Sequence, residues 1–228
     1  MSSWGIEFDP INVDADPAAL EELKRLGVPL VPAVAVGNRA VHGWNPPAYA
    51  ELLGVAYKPP VKLSPAELSA RLDRVLASAE RAIAAVPEHH MDFKPPQRDR
   101  SIRDLAYHLF RLSLAFVDAL DMGNLPEAWF QEKAPGDLRE GAAVSRYGAL
   151  VRGRISGWFE GAAPGEFARM IDVYYGPQSG HDLLERTTWH AAQHLRQLYA
   201  LLEGLSIPPR EPLPTADFQG LPLPASLW

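Results

Sequence analysis

The chain contains 228 residues, of which 47% are hydrophobic and 22% are charged, so it can bury a sizeable core and does not have a disordered composition. Its 28 acidic and 22 basic residues give a formal net charge of -6, and no run of Lys and Arg indicates a nucleic-acid-binding surface. The absence of cysteine excludes disulfides, thiolate nucleophiles and Cys-ligated zinc, and it leaves His, Asp and Glu as the available metal ligands.

The first 57 residues combine strand and helix patterns. Short apolar segments rich in β-branched residues are typical of strands, and Asp16 followed by Pro17 is typical of a helix start with Asp16 as the N-cap. Gly37-Asn38 predicts the turn of a hairpin, and Asn45 predicts a second N-cap. The predicted order is β-α-β-β-α, formed by residues 6–8 with 11–13, 17–26, 33–36, 39–42 and 46–53.

A wholly helical pattern follows the Lys58-Pro59-Pro60 sequence. It begins with a capping box at Ser64, in which Glu67 stands three residues later. Four such helices predict a bundle and a mainly α fold. The third helix contains four glycines, which we interpret as points of close helix packing. The predicted helices cover residues 64–86, 101–121, 137–160 and 179–203.

These patterns predict three parts: a small α/β module at 1–57, a four-helix bundle at 62–204 and a tail at 205–228. The tail is rich in proline, which argues against regular structure, but apolar residues such as Phe218 and Leu227 argue against a free linker. We therefore expect it to lie along the folded surface. Neither a signal peptide nor a run of about 18 apolar residues is visible, so we expect a cytoplasmic protein that does not enter a membrane.

Two histidines on the fourth predicted helix, His190 and His194, are one helical turn apart. They lie about 40° apart around the helix axis, so both can reach one ion. This spacing alone often arises by chance, but His194 belongs to the apolar stripe of the helix and His190 lies at its edge. Both rings are therefore predicted to point into the bundle. The stripe consists of Leu184, Thr187, Ala191, His194, Leu198 and Leu201.

The second predicted helix contains a third inward histidine, because His108 lies between Leu105 and Leu112 on the apolar face. Burying three imidazoles without partners costs roughly a few kcal/mol for each ring, whereas a divalent ion accepts a lone pair from each. Three nitrogen ligands leave at least one coordination position open. An open position is typical of catalytic rather than closed structural sites.

The bundle pattern, with Leu105-Ala106-Tyr107-His108-Leu109 and Trp189-His190-Ala191-Ala192-Gln193-His194, resembles the DinB/YfiT-like family. In that family the bundle holds a divalent ion on three histidines, one from the second helix and two from the fourth. The resemblance implies that His108, His190 and His194 are the metal ligands, and it assigns no further catalytic residue. Family members with assigned activities are mostly thiol S-transferases that use a low-molecular-weight thiol such as bacillithiol or mycothiol, with some hydrolases and isomerases.

Residues 5–14 and 28–37 resemble the later part of a glutaredoxin. The resemblance implies that Pro32 is preceded by a cis peptide bond and lies near a thiol-binding surface. The first strand and the Cys-containing helix of that family are missing from this sequence, which implies an incomplete thioredoxin-like module without dithiol exchange. The strands near Phe8 and Val34 are then expected to pair directly or with a partner chain. The module either binds a peptide or a thiol, or only packs on the bundle.

Other polar residues have both a functional and a structural interpretation. His181 is about 180° from His190 around the axis, which favours a helix-start position over a fourth ligand. Glu185 could act as a general base, and Arg196 could bind a substrate carboxylate, but a solvated surface position is the simpler interpretation for both. Tyr174-Tyr175 could line a pocket entrance. Three further histidines are predicted to be solvent-exposed: His42, His89 and His90.

Three hypotheses remain open. The first is an S-transferase-like enzyme or a hydrolase, in which zinc, nickel, iron or manganese activates an external small-molecule thiol or water for attack on an electrophilic substrate. The second is a non-catalytic metal-binding or interaction module that uses the N-terminal segment and the tail to form a homodimer. The third is a bundle whose histidines are core residues and bind no ion.

Overall fold

The computed structural model describes residues 5–13, 16–28, 31–43, 45–58, 61–96, 98–224 and 226–227. The chain forms two compact units, Met1–Val61 and Lys62–Trp228. Within the described ranges, no helix is both long and apolar enough to cross a lipid bilayer. The finer division at residues 57, 62 and 204 stays a prediction.

The smaller unit contains a hairpin and two short helices. The Asp16 side chain caps the first helix by accepting hydrogen bonds from the backbone N–H groups of Ala18 and Ala19. The peptide bond between Val31 and Pro32 is cis, as the resemblance to glutaredoxin implies. The elements are α1 (Pro17–Arg25), β1 (Ala33–Val36), β2 (Arg39–His42) and α2 (Pro46–Leu53), and β1 pairs antiparallel with β2.

The first strand predicted for this unit is not formed. Residues 6–8 and 11–13 belong to no sheet in the described part of the chain, and β1 pairs with β2 alone. The predicted β-α-β-β-α order and the direct pairing of strands near Phe8 and Val34 are therefore wrong. A strand is stabilised by ladder hydrogen bonds and cross-strand contacts, and a two-stranded hairpin is a marginal partner for a third strand. Pairing with a partner chain stays a prediction.

The larger unit contains four long helices. The first begins at the predicted capping box, in which Ser64 Oγ accepts from the Glu67 N–H and the Glu67 carboxylate accepts from the Ser64 N–H at 2.8 Å. Ser101 and Ser179 cap two of the other helices through their hydroxyl oxygens. The four helices are α3 (Pro65–Ala84), α4 (Ile102–Met122), α5 (Gly141–Gly161) and α6 (Gly180–Gly204).

The start of α5 differs most from the prediction, which placed it at residue 137. Residues 136 and 137 form a turn instead, closed by a hydrogen bond from the Leu138 N–H to the Pro135 carbonyl at 3.1 Å. Glu140 then adopts an extended conformation as the N-cap, and its side chain makes no capping hydrogen bond. The proline turn therefore delays the helix to Gly141.

The four helices do not follow one another around the bundle. Both α5 and α6 pack against α3 and α4, whereas α3 and α4 have few contacts with each other. The helices α4 and α6 are therefore neighbours, although a simple up-and-down bundle would place them diagonally. Their shared core is apolar and includes the fully buried rings of Phe110 and Phe116.

A small sheet that the sequence analysis did not predict joins one end of α4 to one end of α6. Gly123, with φ 81°, ends α4 in the left-handed conformation and leads directly into β3 (Asn124–Leu125). This strand pairs in parallel with β4 (Met170–Val173), which pairs antiparallel with β5 (Gln178–Ser179) immediately before α6. The sheet holds the C-terminal end of α4 beside the N-terminal end of α6, so the two helices run antiparallel.

The glycines of α5 occupy two different environments. A Cβ at Gly141 would lie 2.1 Å from the Ile83 carbonyl oxygen, and a Cβ at Gly148 would lie 2.5 Å from the Phe110 ring, so both positions require glycine for close packing. At Gly153 and Gly157 a Cβ would meet nothing within 4 Å in the described structure. The interpretation of all four as packing positions is therefore wrong for these two.

We expect Gly141→Ala and Gly153→Ala to change stability in opposite directions. The first should lower the free energy of unfolding by about 1–3 kcal/mol, because the new methyl group overlaps a backbone carbonyl. The second, at an exposed position of the same helix, should raise it by about 0.5–1 kcal/mol, because alanine loses less backbone entropy than glycine. Urea unfolding followed by circular dichroism measures both, and effects of the same sign would contradict this account of α5.

Candidate metal centre

Three histidines from two helices meet at the interface between α4 and α6. His108 is 5% exposed and lies on α4 between the buried side chains of Leu105 and Leu112. His190 and His194 lie one turn apart on α6, and both are half-buried. Because the two helices are neighbours, their inner faces turn these three rings toward one another. We refer to His108, His190 and His194 as the histidine cluster.

The ring nitrogens of the cluster are close together. One nitrogen from each histidine lies within 4.8 Å of one nitrogen from each of the others. The Nε2 atoms of His190 and His194 are 3.1 Å apart, and the His108 ring centroid lies 5.4 Å and 5.1 Å from those of His190 and His194. Within the described ranges no Asp or Glu joins this group. The available donors are therefore three imidazoles.

Gln197 sets the tautomer of His194. Its Oε1 atom lies 2.6 Å from His194 Nδ1 and accepts the Nδ1–H hydrogen, which leaves the lone pair on Nε2. Gln197 Nε2 donates to the Leu227 carbonyl at 2.7 Å, and this bond fixes which end of the amide faces the histidine. The Nε2 lone pair of His194 then faces His190, which is the tautomer that a metal ligand requires.

The C-terminal tail is bound to α6 beside the cluster. Gln193 Nε2 donates to the Ser226 carbonyl at 3.2 Å and to the Leu227 carbonyl at 2.8 Å. Arg196 donates to the Pro224 carbonyl at 3.0 Å and to Gln193 Oε1 at 2.8 Å. Arg196 therefore holds the tail, a role that the sequence pattern did not predict.

The cluster histidines are neutral at neutral pH. Burial lowers the pKa of His108 from 6.5 to about 2, and the Arg100 guanidinium adds to this effect. Burial also lowers the pKa of His194 to about 4 and that of His190 well below 6.5, and Arg100 contributes to both shifts. Neutral imidazoles keep the lone pairs that metal coordination requires.

A cavity of about 270 Å³ reaches the cluster at His194. Arg98 and Arg100 enter it from the loop before α4, and their charges help to lower the pKa of His194. Asp99 also lines the cavity, but its exposed carboxylate pairs with Lys94 at 2.6 Å. We refer to this space as the α4–α6 cavity; its other walls include Pro95, Leu105, Gln197 and Leu201.

Other residues considered from the sequence lie outside the cluster. His181 Nε2 is hydrogen-bonded to the Leu63 carbonyl at 2.8 Å, so this ring is used at the helix start. Glu185 does not line the α4–α6 cavity, and burial raises its pKa.

The Tyr175 hydroxyl is buried without a hydrogen-bond partner among the described residues, and Arg186 lies 4.3 Å from its ring centroid. His42 and His89 are exposed as predicted, and His90 is half-buried.

Sequence patterns did not predict the residues that surround the cluster. The contact of Gln197 with His194 could have been predicted, because Gln197 stands three residues after His194 on the same side of the helix. The positions of Arg98 and Arg100 could not, since loop residues have no periodicity that predicts where they point. The Leu227 carbonyl is distant in sequence from Gln197, and only folding brings the two together.

The cluster fits one divalent ion. Two nitrogen ligands at about 2.0–2.1 Å from one ion lie about 3.0–4.2 Å apart, depending on the coordination geometry. The 3.1 Å between the Nε2 atoms of His190 and His194 falls in this range, and one ring nitrogen of His108 lies within 4.8 Å of a ring nitrogen of each of them. Imidazole donors suit zinc, nickel and iron, so the donor set does not identify the metal.

The chain is similar to two solved structures from Bacillus subtilis. A DinB-like protein, YjoA, is 16% identical, and the match covers 64% of this chain and 94% of that chain with a TM-score of 0.51. YfiT, described as a probable metal-dependent hydrolase with an unusual four-helix bundle topology, is 17% identical over 67% of this chain and 95% of that chain, also with a TM-score of 0.51. At these identities the likeness shows the fold, and it confirms the predicted DinB-like four-helix bundle.

The family model for glutaredoxin matches residues 1–41, which confirms the resemblance of the N-terminal segment. A comparison with curated proteins finds no match. Because one fold can carry many activities, the function has to be argued from the site.

Without metal, we expect the protein to lose stability as the pH falls below 6.5. The cluster histidines have a pKa of 6.5 before folding and a lower pKa in the fold, so the unfolded state binds more protons below that pH. Each ring lowers the free energy of unfolding by up to about 1.4 kcal/mol for each unit by which the pH falls. His194 causes this loss of stability between pH 6.5 and about 4, and the range for His108 extends to lower pH. Urea unfolding of chelator-treated protein at several pH values measures the slope of the free energy of unfolding against pH.

Two variants test whether the cluster causes this slope. His108→Leu removes one buried imidazole and keeps an apolar side chain, so its slope should be smaller by about 1.4 kcal/mol per pH unit. His89→Leu removes an exposed ring and should keep the wild-type slope. Identical slopes for both variants and the wild type would show that His108 is not held neutral by burial.

Proposed function

We propose that the protein is a divalent-metal-dependent enzyme of the thiol S-transferase type, which joins an external low-molecular-weight thiol to an electrophilic small molecule. The observation that carries this proposal is the meeting of three imidazole nitrogens from α4 and α6 within 4.8 Å of one another. Three protein ligands leave a coordination position for a reactant. The DinB-like fold supports the metal dependence in this proposal, because its solved neighbour YfiT is described as a probable metal-dependent hydrolase.

In this mechanism His108, His190 and His194 would hold the ion through neutral ring nitrogens. When bound, a divalent cation supplies a Lewis acid that lowers the pKa of an adjacent nucleophile, so that the nucleophile is anionic at neutral pH. The chain has no cysteine, so the thiol has to come from outside. Gln197 keeps the Nε2 lone pair of His194 directed into the cluster, and the α4–α6 cavity gives a substrate access to it.

The packing around the cluster favours a catalytic over a structural role for the ion. The helices α4 and α6 already share an apolar core, and the sheet of β3, β4 and β5 joins their ends. These contacts hold the two helices together without help from a metal. A chelator should therefore lower the melting temperature only slightly, whereas removal of a structural ion typically unfolds a small metal-dependent domain.

We expect protein purified without a histidine tag to contain about one equivalent of metal, as one three-histidine site requires. His108→Ala, His190→Ala and His194→Ala should each lose most of it, because two nitrogen ligands bind a divalent ion much more weakly than three. His89→Ala removes an exposed histidine outside the cluster and is the matched control. Elemental analysis measures all four variants, and full metal content in the three cluster variants would refute the site.

The activity test uses metal-loaded protein with bacillithiol, mycothiol or cysteine and an aryl chloride as the electrophile. Thioether formation with release of chloride that is lost in His194→Ala supports an S-transferase. Hydrolysis of an ester without any thiol, lost in the same variant, would replace the S-transferase with a hydrolase. No turnover, together with a large fall in melting temperature on chelation, would indicate a structural ion.

Gln197→Leu should weaken metal binding by about 10–100-fold, because His194 loses the acceptor that fixes its tautomer. Gln193→Leu is the matched control, since Gln193 bonds to the same Leu227 carbonyl but to no cluster histidine. Gln197→Glu keeps an acceptor for the Nδ1–H and should retain wild-type affinity. Competition with a chromogenic chelator measures the dissociation constants. Equal losses in Gln197→Leu and Gln193→Leu would assign the effect to the tail contact instead.

A further inference from the structure

Among the residues that the structure describes, the Arg100 guanidinium in the α4–α6 cavity has no ion-pair partner. Arg100 is half-buried, and its side chain has no hydrogen bond or ion pair within the described ranges. Asp104, whose charge acts on Arg100, already accepts hydrogen bonds from the Ser101 hydroxyl at 2.9 Å and from the Ala134 N–H at 3.0 Å. Burial lowers the pKa of Arg100, and the negative charge of Asp104 offsets only part of this effect.

The surroundings of Arg100 add positive charge. Arg98 lines the same cavity, and its guanidinium also has no ion-pair partner in the described structure. The carboxylate of Asp99 is 89% exposed and is paired with Lys94. The histidine cluster offers only neutral donors, so a divalent ion bound there would bring two positive charges without an anionic protein ligand. A concave site with this charge distribution attracts anions.

Apart from Gln197, the remaining walls of the cavity are apolar. Leu105 is 4% exposed, Leu201 is 7% exposed, and Pro95 is also buried. The volume of about 270 Å³ lies just below the range of about 300–1,000 Å³ that drug-sized ligands occupy, so the cavity fits a small molecule. A carboxylate matches the planar guanidinium fork with two parallel hydrogen bonds, and an apolar body would cover the leucine side chains.

We propose that the α4–α6 cavity is a substrate subsite for an organic anion, a small molecule with a carboxylate on an apolar body. Arg100 is its main carboxylate-binding residue, and Arg98 is the second. The apolar body packs against Leu105 and Leu201, and the ligand extends toward His194. This inference rests on the proposed function, because it takes the histidine cluster as the reacting centre, and it specifies the class of substrate.

The test uses metal-free full-length protein and three probes of equal length: hexanoate, neutral hexanamide and cationic hexylammonium. Methyl NMR signals of Leu105 and Leu201 report binding inside the cavity. Hexanoate should shift both signals in a saturable manner, and it should bind more tightly than hexanamide. Hexylammonium should produce no saturable shift, because two guanidinium groups repel it.

Arg100→Gln should raise the dissociation constant for hexanoate about ten-fold, which corresponds to the loss of one charge-assisted contact, and should leave that for hexanamide unchanged. Arg146→Gln removes an exposed arginine of α5 that does not line the cavity, and it should bind hexanoate like the wild type. Arg100→Lys keeps the charge without the fork and should give an intermediate value. If the amide NMR spectrum shows that Arg100→Gln is poorly folded, Arg100→Lys still tests the proposal.

Wild-type hexanoate affinity in both Arg100 variants, or equal binding of hexanoate and hexanamide to the wild type, would overturn the proposal. Elemental analysis of the same Arg100 variants separates this outcome from failure of the proposed function. Hexanoate binding to metal-free protein depends on the cavity residues and does not require a bound metal. The metal content of Arg100→Gln depends on the histidine cluster and should equal that of the wild type.

Discussion

An imidazole buried in an apolar bundle has to be neutral and has to find partners for both ring nitrogens, and this constraint governs the interface between α4 and α6. Burial removes the water that would stabilise the charged form, so all three cluster pKa values fall. At His194 one nitrogen is satisfied by Gln197, which directs the other toward His190. The same interaction that keeps a buried ring satisfied thus also prepares a donor for a metal ion.

The topology gives this interface one closed end and one accessible end. The three-stranded sheet holds the C-terminal end of α4 against the N-terminal end of α6. His108 lies near the other end of α4, where the preceding loop brings Arg98 and Arg100 to the α4–α6 cavity. The rigid core therefore positions the donors, while a loop and the tail contribute the groups around them. Loops on a rigid scaffold are a common location for binding residues.

The smaller unit forms only part of the structure that its resemblance to glutaredoxin implies. The hairpin and the cis peptide bond before Pro32 agree with the glutaredoxin resemblance. Residues 6–8 keep a strand-like sequence but form no strand, because pairing depends on neighbouring strands and not on propensity. Local sequence thus predicted the capped helices and the turn, whereas it overestimated the sheet.

Local sequence patterns were enough to predict the four helices, most of their caps and the inward faces that carry His108, His190 and His194, because capping and periodicity are local properties. The absence of cysteine also determined that any thiol must be external. The pairing of α4 with α6 could not be predicted in this way, because it depends on how four apolar faces share one core. Likewise, the hydrogen bond of Gln197 to Leu227, and the cavity that Arg100 and His194 both line, bring together segments without a shared sequence pattern. Long-range contacts of this kind leave no periodic signal in the chain.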